Sequence, residues 1–400
     1  MEKPSLLSPK ERTILWVYFL SAMGVLGLYL LLGVVRDGLP MAPPADNAEL
    51  AVLAPLSGAQ KDLGYALLNV AGQAVAARPA NLNLGNLQVT VVGYDTHGTA
   101  DGAARGAQRA ARNPATVAII GPPDARQALA AAETLQEEDL ALLTPASTAA
   151  VLPVGRMPGL FRLPAPDNIQ GRAMVNFLLT QGWQNVFLIA EPYTYVQGVL
   201  DAFFAAAGEQ VRLVGKINLG EEQLPADLAQ RITDSQAEAV VYVGGPENAL
   251  AVIRSMNAAS LKVPVVSSDG INDPKVVEAA TAGMPVYFTS PILNLPAFAD
   301  QQTLAAYRGA LATFAEAPYA YETTQATWMV LGALAQRSSA LSPRAVVKRA
   351  LEFTSLRGLN DETNTLVGGQ RRPLQVYIYQ VSAEAKHWSQ NPLVYVHQER

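Results

Sequence analysis

Residues 116–145 read TVAIIGPPDARQALAAAETLQEEDLALLTP, and their pattern decides the fold. The apolar run TVAII stops at Gly121 and two prolines. RQALAAAETLQEE then carries its apolar residues at helical spacing, and LALLT is apolar again before Pro145. Strand, helix and strand in so short a length form a crossover unit, which makes the two strands parallel. Neither run alternates with polar residues along its length, which implies a sheet covered by helices on both faces.

The alternation extends both ways. Upstream, ELAVLAPLSG is an apolar run ending in a turn, and YALLNVAGQAVAA places Leu67, Val70, Ala71, Ala74 and Val75 on one helical side. LQVTVVGYD reads as a strand, and TADGAARGAQRAARN as a helix that Pro114 stops. Downstream, helix QGRAMVNFLLTQG and strand NVFLIAE restart the pattern, which runs through strands RLVGKIN, AVVYVGG, VPVVSSDG and MPVYFTSP with helices between. Three further helices are expected near 299–315, 320–337 and 343–355, and PLQVYIYQV is expected as the closing strand. The expected fold class is α/β, with two doubly wound parallel-sheet lobes. The first lobe is expected over 48–165 plus 290–365, the second over 166–289 plus 366–400.

The 400 residues suffice for two or three domains at about 150 each. Half of the chain is apolar, 16% is charged and the net charge is −5, a globular composition without the basic stripe a nucleic acid would need. With no cysteine, disulfides, thiolate metal sites and cysteine nucleophiles are excluded. The histidines are His97, His387 and His397, without a metal-ligand partner one turn away, so no metal and no cofactor are expected. Asp95 and His97 in YDTHG suggest half of a catalytic pair, but no G-x-S-x-G elbow accompanies them, and turn chemistry is the reading taken. An enzyme is not expected.

Residues 13–35, TILWVYFLSAMGVLGLYLLLGVV, contain no charge. At about 1.5 Å per residue this run spans a hydrocarbon core of about 30 Å. A cleaved signal peptide is the alternative, but its apolar region is about 7–15 residues, and RDGLPMAPPADN offers a poor cleavage site. Lys3, Lys10 and Arg12 precede the run and only Arg36 follows closely, so residues 1–12 are expected in the cytoplasm and the rest outside. Residues 36–47 hold three prolines and read as a stiff tether. The expected localisation is the cell membrane, with a single pass and an extracytoplasmic globular part.

Ligands of open parallel sheets bind beyond the carboxyl ends of the strands. Those loops are PLSGAQKDLG (55–64), GYDTHGTAD (93–101), GPPDARQ (121–127), TPASTAAV (144–151), AEPYTYVQG (190–198), GGPENA (244–249) and SSDGIND (267–273). They are small, hydroxylated and glycine-rich, and several lead into helix N-termini, where free N–H groups favour an anion. GPPDARQ lacks the G-K-[ST] ending of a phosphate loop, and SSDGIND fails the calcium-loop spacing.

Taken in order, APLSGAQKDLG, VVGYDTHGTADGAARGAQR, VAIIGPPDA, LLTPAST, FRLPAPDNIQGRAMVNFLL, VFLIAEPYTYVQGVLDAFFAAAG, AVVYVGGPENALAVIRSM and VPVVSSDGINDP make residues 48–400 resemble a type I periplasmic solute-binding protein of the branched-chain amino-acid and amide class. The resemblance implies two lobes on a three-stranded hinge that close over a small-molecule ligand, an amino acid or amide, and present it to an ABC transporter permease. It puts Ser57, Ala125, Arg126, Ala146, Ser147, Thr148, Tyr195, Pro246 and Asp269 at contact positions. Ala146 and Thr148 are implied to meet the ligand, Tyr195 to cover it, and Asp269 to pair with its ammonium. Ala125 stands where the family places a hydroxyl, and Leu63 and Pro246 stand where it places aromatics. Alternatives stay open: Asp269 as a turn residue, Ser147 and Thr148 as helix caps, Tyr195 as packing, and Arg126 as a carboxylate clamp or a solvated side chain. A membrane-tethered sensor or protein-binding module with an altered pocket is the alternative function.

Overall fold

The structure is a computed structural model that describes residues 47–80, 82–220, 223–280, 284–293, 317–336, 342–353, 355–357, 363–382, 384–385 and 390–399. The expected cytoplasmic tail, the apolar run 13–35 and nearly all of the tether lie outside these residues, as does the helix expected near 299–315. Among the described residues no helix is long and apolar enough to cross a membrane.

Fifteen strands are found among the described residues: β1 (Asn47–Ala54), β2 (Gln88–Asp95), β3 (Thr116–Ile120), β4 (Ala141–Thr144), β5 (Leu160–Arg162), β6 (Asn185–Ala190), β7 (Arg212–Asn218), β8 (Ala239–Val243), β9 (Val265–Ser267), β10 (Val286–Ser290), β11 (Ser355–Arg357), β12 (Thr363–Val367), β13 (Gln370–Arg372), β14 (Leu374–Gln380) and β15 (Leu393–Glu399). The helices are α1 (Lys61–Ala76), α2 (Ala100–Arg112), α3 (Ala125–Thr134), α4 (Ile169–Gln181), α5 (Thr194–Ala207), α6 (Leu228–Asp234), α7 (Pro246–Ala258), α8 (Pro274–Ala280), α9 (Ala320–Ala335) and α10 (Pro343–Ala350).

Two sheets result. One has the order β11-β12-β13-β5-β4-β3-β1-β2, the other β15-β14-β10-β9-β8-β6-β7. From β5 to β2 and from β10 to β7 every pairing is parallel. Each run follows the 2-1-3-4-5 order of doubly wound sheets, whose ligand crevice lies where the strand order reverses. That point is between β1 and β3 in one sheet and between β6 and β8 in the other. β3, β4 and β8 are buried at every position, as sequences without polar alternation suggest.

Of the antiparallel additions only β14 was expected from the sequence. β11, β12 and β13 pair antiparallel at the edge of the first sheet, and β14 and β15 extend the second. LVYVHQE alternates with polar residues and was not recognised, so PLQVYIYQV is not the closing strand. The chain passes between sheets at 163–168, between β10 and α9, and between Arg372 and Leu374. The last crossing lies beyond the expected return at residue 365, because the short strands β12 and β13 still pair within the first sheet. α9 belongs with the first sheet's helices, since the Trp328 indole N–H donates to the Ala74 carbonyl on α1 at 2.9 Å.

Side-chain bonds tie the crossings together. Arg162 Nε donates to Gln370 Oε1 at 2.6 Å, and Gln370 Nε2 donates to the Pro164 carbonyl at 3.0 Å. Glu322, fully buried at the start of α9, accepts the Leu293 N–H at 3.0 Å. Burial pushes its carboxyl up to about 7, against the opposing pull of Arg371 and that N–H.

Candidate functional site

A polar cluster sits where the first crossing meets the carboxyl ends of the strands. α4 starts at Ile169, and Gln170 on its first turn is fully buried. Its Oε1 accepts the Thr289 hydroxyl of β10 at 2.6 Å and the Asp269 N–H at 3.3 Å. Its Nε2 donates to Asp269 Oδ1 at 3.0 Å and lies 3.5 Å from Asp167 Oδ1 and 3.4 Å from Tyr195 Oη. The Tyr195 hydroxyl, on the first turn of α5, also donates to Asp269 Oδ1. From the first sheet's side, the Thr148 carbonyl accepts the Asp167 N–H at 2.8 Å.

Asp269 reaches this place because the loop after β9 presses against the loop after β8. A Cβ on Gly270 would stand 2.3 Å from the Gly244 carbonyl oxygen, so only glycine permits the approach.

The electrostatics are those of a desolvated anionic site. Burial raises the Asp269 carboxyl, although the Tyr195 and Gln170 donors oppose it. Burial and then the Asp269 charge push Asp167 up to about 7, against Thr148, Arg162 and Gln170. Tyr195 is raised by burial and by its acidic neighbour. Tyr319, just before α9, is pushed up to about 12 by burial and the charges of Asp269, Glu322 and Asp167. Burial lowers Arg162 to about 10, with Asp167 opposing.

Of the residues expected at the site, Thr148, Tyr195 and Asp269 are brought together. Ala146 and Ser147 are buried beside them in the loop after β4. Ser147 and Thr148 cap no helix, because the chain after them turns and the next helix begins at Ile169. The Thr144 hydroxyl instead accepts the Ser147 N–H at 3.1 Å, and the Ser147 hydroxyl donates to the Pro123 carbonyl at 3.2 Å. Ser57 lies 2.8 Å from His97 Nδ1. Asp95 accepts the N–H groups of Leu56 and His97 at 2.9 and 2.8 Å, which is turn chemistry.

Ala125 opens α3, which Asp124 caps. The Arg126 side chain is 91% exposed, with Nε 3.7 Å from Asp124. Pro246 opens α7 next to buried Glu191, which takes the Tyr242 hydroxyl, the Gly245 N–H and the Asn248 amide at 2.5, 3.1 and 3.0 Å. Among the described residues, no hydrogen bond or ion pair joins Ser57, Ala125, Arg126 or Pro246 to Asp269. A cavity of about 480 Å³ opens at the ends of β6 and β7, lined by Glu191, Tyr193, Gln197, Lys216 and Asn218 among others, and none of the expected contact residues lines it.

Sequence reasoning missed Asp167, Gln170, Thr289 and Tyr319. D-x-x-Q at the head of a helix has the spacing of a capping box. Here the N-cap position is Asn168, with no side-chain cap bond, and Gln170 turns inward.

Two doubly wound lobes crossed three times, with polar strand ends converging at the first crossing, define a binding protein of the two-lobed type. Residues 48–386 match the periplasmic binding protein family, and the chain belongs to it. A Pseudomonas aeruginosa protein described as an amino acid binding protein is 27% identical over 254 residues, 62% of this chain and 67% of its own length. A branched-chain amino acid ABC transporter protein from Rhodospirillum rubrum has a similar structure, with a TM-score of 0.71 at 16% identity over 87% of this chain and all of its own. A substrate-binding protein from Desulfitobacterium hafniense in complex with Leu gives 0.68 at 16% identity, covering 87% of this chain and 100% of its own. A solute-binding protein from R. palustris in complex with 4-hydroxybenzoate gives 0.65 at 13% identity, covering 88% of this chain and 97% of its own. At such identities the structural likeness shows the fold.

Proposed function

We propose that this chain is the extracytoplasmic solute-binding component of an ABC-type uptake system. It takes an amino acid or related small polar ligand between its lobes and presents it to a permease. The apolar run 13–35 would hold it to the membrane with residues 1–12 in the cytoplasm. Family membership supports the class of function, and one observation carries the site. Tyr195, Gln170 and Asp269 on the second lobe hydrogen-bond one another beside Asp167, whose N–H is held by Thr148 of the first. Contacts made across such a junction only in the closed form would bias a hinge toward closure. Ala146, Thr148, Tyr195 and Asp269 are the contact positions we assign; Arg126 faces solvent and is not among those that hold the ligand in this arrangement.

Differential scanning fluorimetry against an amino-acid and amide panel tests the reading. A micromolar ligand at millimolar dose adds about 4 kcal/mol to the folded state. A panel in which no amino acid, amide or small carboxylate raises the Tm refutes it. Intact mass of the exported protein tests the tether, since a cleaved leader would remove the run.

A further inference from the structure

The cleft cluster holds two buried carboxylates, Asp167 and Asp269, and one facing cation, Arg162. Gln170 Nε2, with two N–H groups, faces three oxygens: Asp167 Oδ1, Asp269 Oδ1 and Tyr195 Oη. The Tyr195 hydrogen is already spent on Asp269. Ser268, next to Asp269 in the chain and fully buried, sets its hydroxyl against the Tyr195 phenol oxygen. The buried Oδ1 of Asn168, beside Asp167, is unpartnered.

Of the groups expected to hold a ligand carboxylate, the Thr148 hydroxyl is turned to Asp167, and Ser147 and Arg126 are engaged elsewhere. The Ser147 N–H is bound by Thr144 and the Ser147 hydroxyl by Pro123. Arg126 stands in solvent. Arg162 is the cation nearest Asp167, and its Nε and one terminal nitrogen are committed to Gln370 and to the Ala149 carbonyl at 2.6 and 2.9 Å. Two carboxylates against one guanidinium leave the cluster one negative charge in excess when both are ionised. An ammonium or guanidinium brings several N–H donors and the missing charge.

We infer that the ligand is a cation whose charged nitrogen sits between Asp167 and Asp269, and that Asp167 makes the cleft select a net positive charge over a neutral zwitterion. The inference rests on the solute-binding reading and narrows its ligand to basic amino acids and small amines. Burial of two carboxylates against a single guanidinium is the physical reason: a guest that supplies both positive charge and N–H groups offsets their desolvation.

The full chain is titrated calorimetrically with arginine, lysine, cadaverine, leucine and glutamate at about pH 8. Arginine, lysine or cadaverine is expected to bind, leucine and glutamate to bind more weakly or not at all. Asp167→Asn is expected to weaken the cation by about ten- to a hundredfold. A second readout needs no variant. At about pH 6 the bound cation expels protons from the carboxylate pair, so the binding heat changes with the buffer's ionisation heat. The groups facing that pair are Arg162 on β5, Tyr195 on α5 and Tyr319 before α9, and both tyrosines stay protonated there. Leucine or glutamate binding without any cation binding overturns the inference and leaves the solute-binding reading standing. Binding of none of the five overturns it as well. A cation that binds without proton release, or with equal affinity for a folded Asp167→Asn, removes Asp167 from the role.

Discussion

Replacing Gln170 by leucine tests whether the cleft cluster is held by this one amide. The side chain is fully buried and the two residues are close in volume, so little cavity or overpacking cost enters. The substitution strands three groups. The buried Thr289 hydroxyl loses the acceptor it meets at 2.6 Å, and the Asp269 N–H loses the one at 3.3 Å. The Asp269 carboxylate loses a donor at 3.0 Å. A buried neutral group left unpaired costs about 1–3 kcal/mol, and a lost bond to a charged group about 1.5–3 kcal/mol. The expected total is about 3.5–9 kcal/mol, a large part of the roughly 5–15 kcal/mol that holds a folded protein. Urea unfolding followed by circular dichroism reads it as a lower midpoint at unchanged slope, by about 1 M or more. Gln197→Leu is the control: Gln197 is exposed on α5, bonds only Asp201 one turn on at 2.6 Å, and should shift stability by no more than about 0.5 kcal/mol. A Gln170→Leu protein within about 1 kcal/mol of the wild type, or no worse than the control, would refute the reasoning.

Four further substitutions probe other parts of the account. Glu322→Gln removes the buried carboxyl that burial pushes up to about 7. The folded state binds that proton more tightly than the unfolded chain, so the stability it contributes is full below the ordinary value near 4.5 and is lost as pH rises through about 7. The wild type should therefore lose Tm relative to the variant between those pH values, and parallel Tm curves would contradict this. Gly171→Ala on α4 would put a Cβ 2.1 Å from the Val199 carbonyl and 2.5 Å from the Phe203 nitrogen, forcing α4 and α5 apart at a cost of about 3 kcal/mol. Gly198→Ala on α5 meets nothing within 4 Å and should stabilise by about 0.5–1 kcal/mol, so equal effects in thermal unfolding would refute the close crossing. Arg126→Ala, at a side chain 91% exposed, should change neither Tm nor ligand affinity by more than experimental error, and a tenfold loss of affinity would place it in the site after all.

Much of the layout was legible because periodicity and burial are local signals. TVAII, LALLT and AVVYV do not alternate with polar residues, and the strands they form are buried throughout because both faces of their sheets are covered. The strand ends followed from the same reading, whereas Thr148, Tyr195 and Asp269 were singled out by the family resemblance and not by periodicity. The edge strands β11, β12, β13 and β15 were not legible, since short segments with polar alternation become strands only when a neighbour supplies the ladder.

The sequence by itself determined the parallel α/β architecture and the loops that face the crevice, because each depends on neighbours along the chain. Only the tertiary structure decided which polar side chains share a site. Asp167, Gln170, Asp269 and Thr289 are up to 122 residues apart, and each alone reads as a cap, a turn or a strand residue. They become one cluster because the first crossing brings the start of α4 against the ends of β9 and β10. Their shared burial, which raises both carboxyls, is a property of that packing and not of any local pattern.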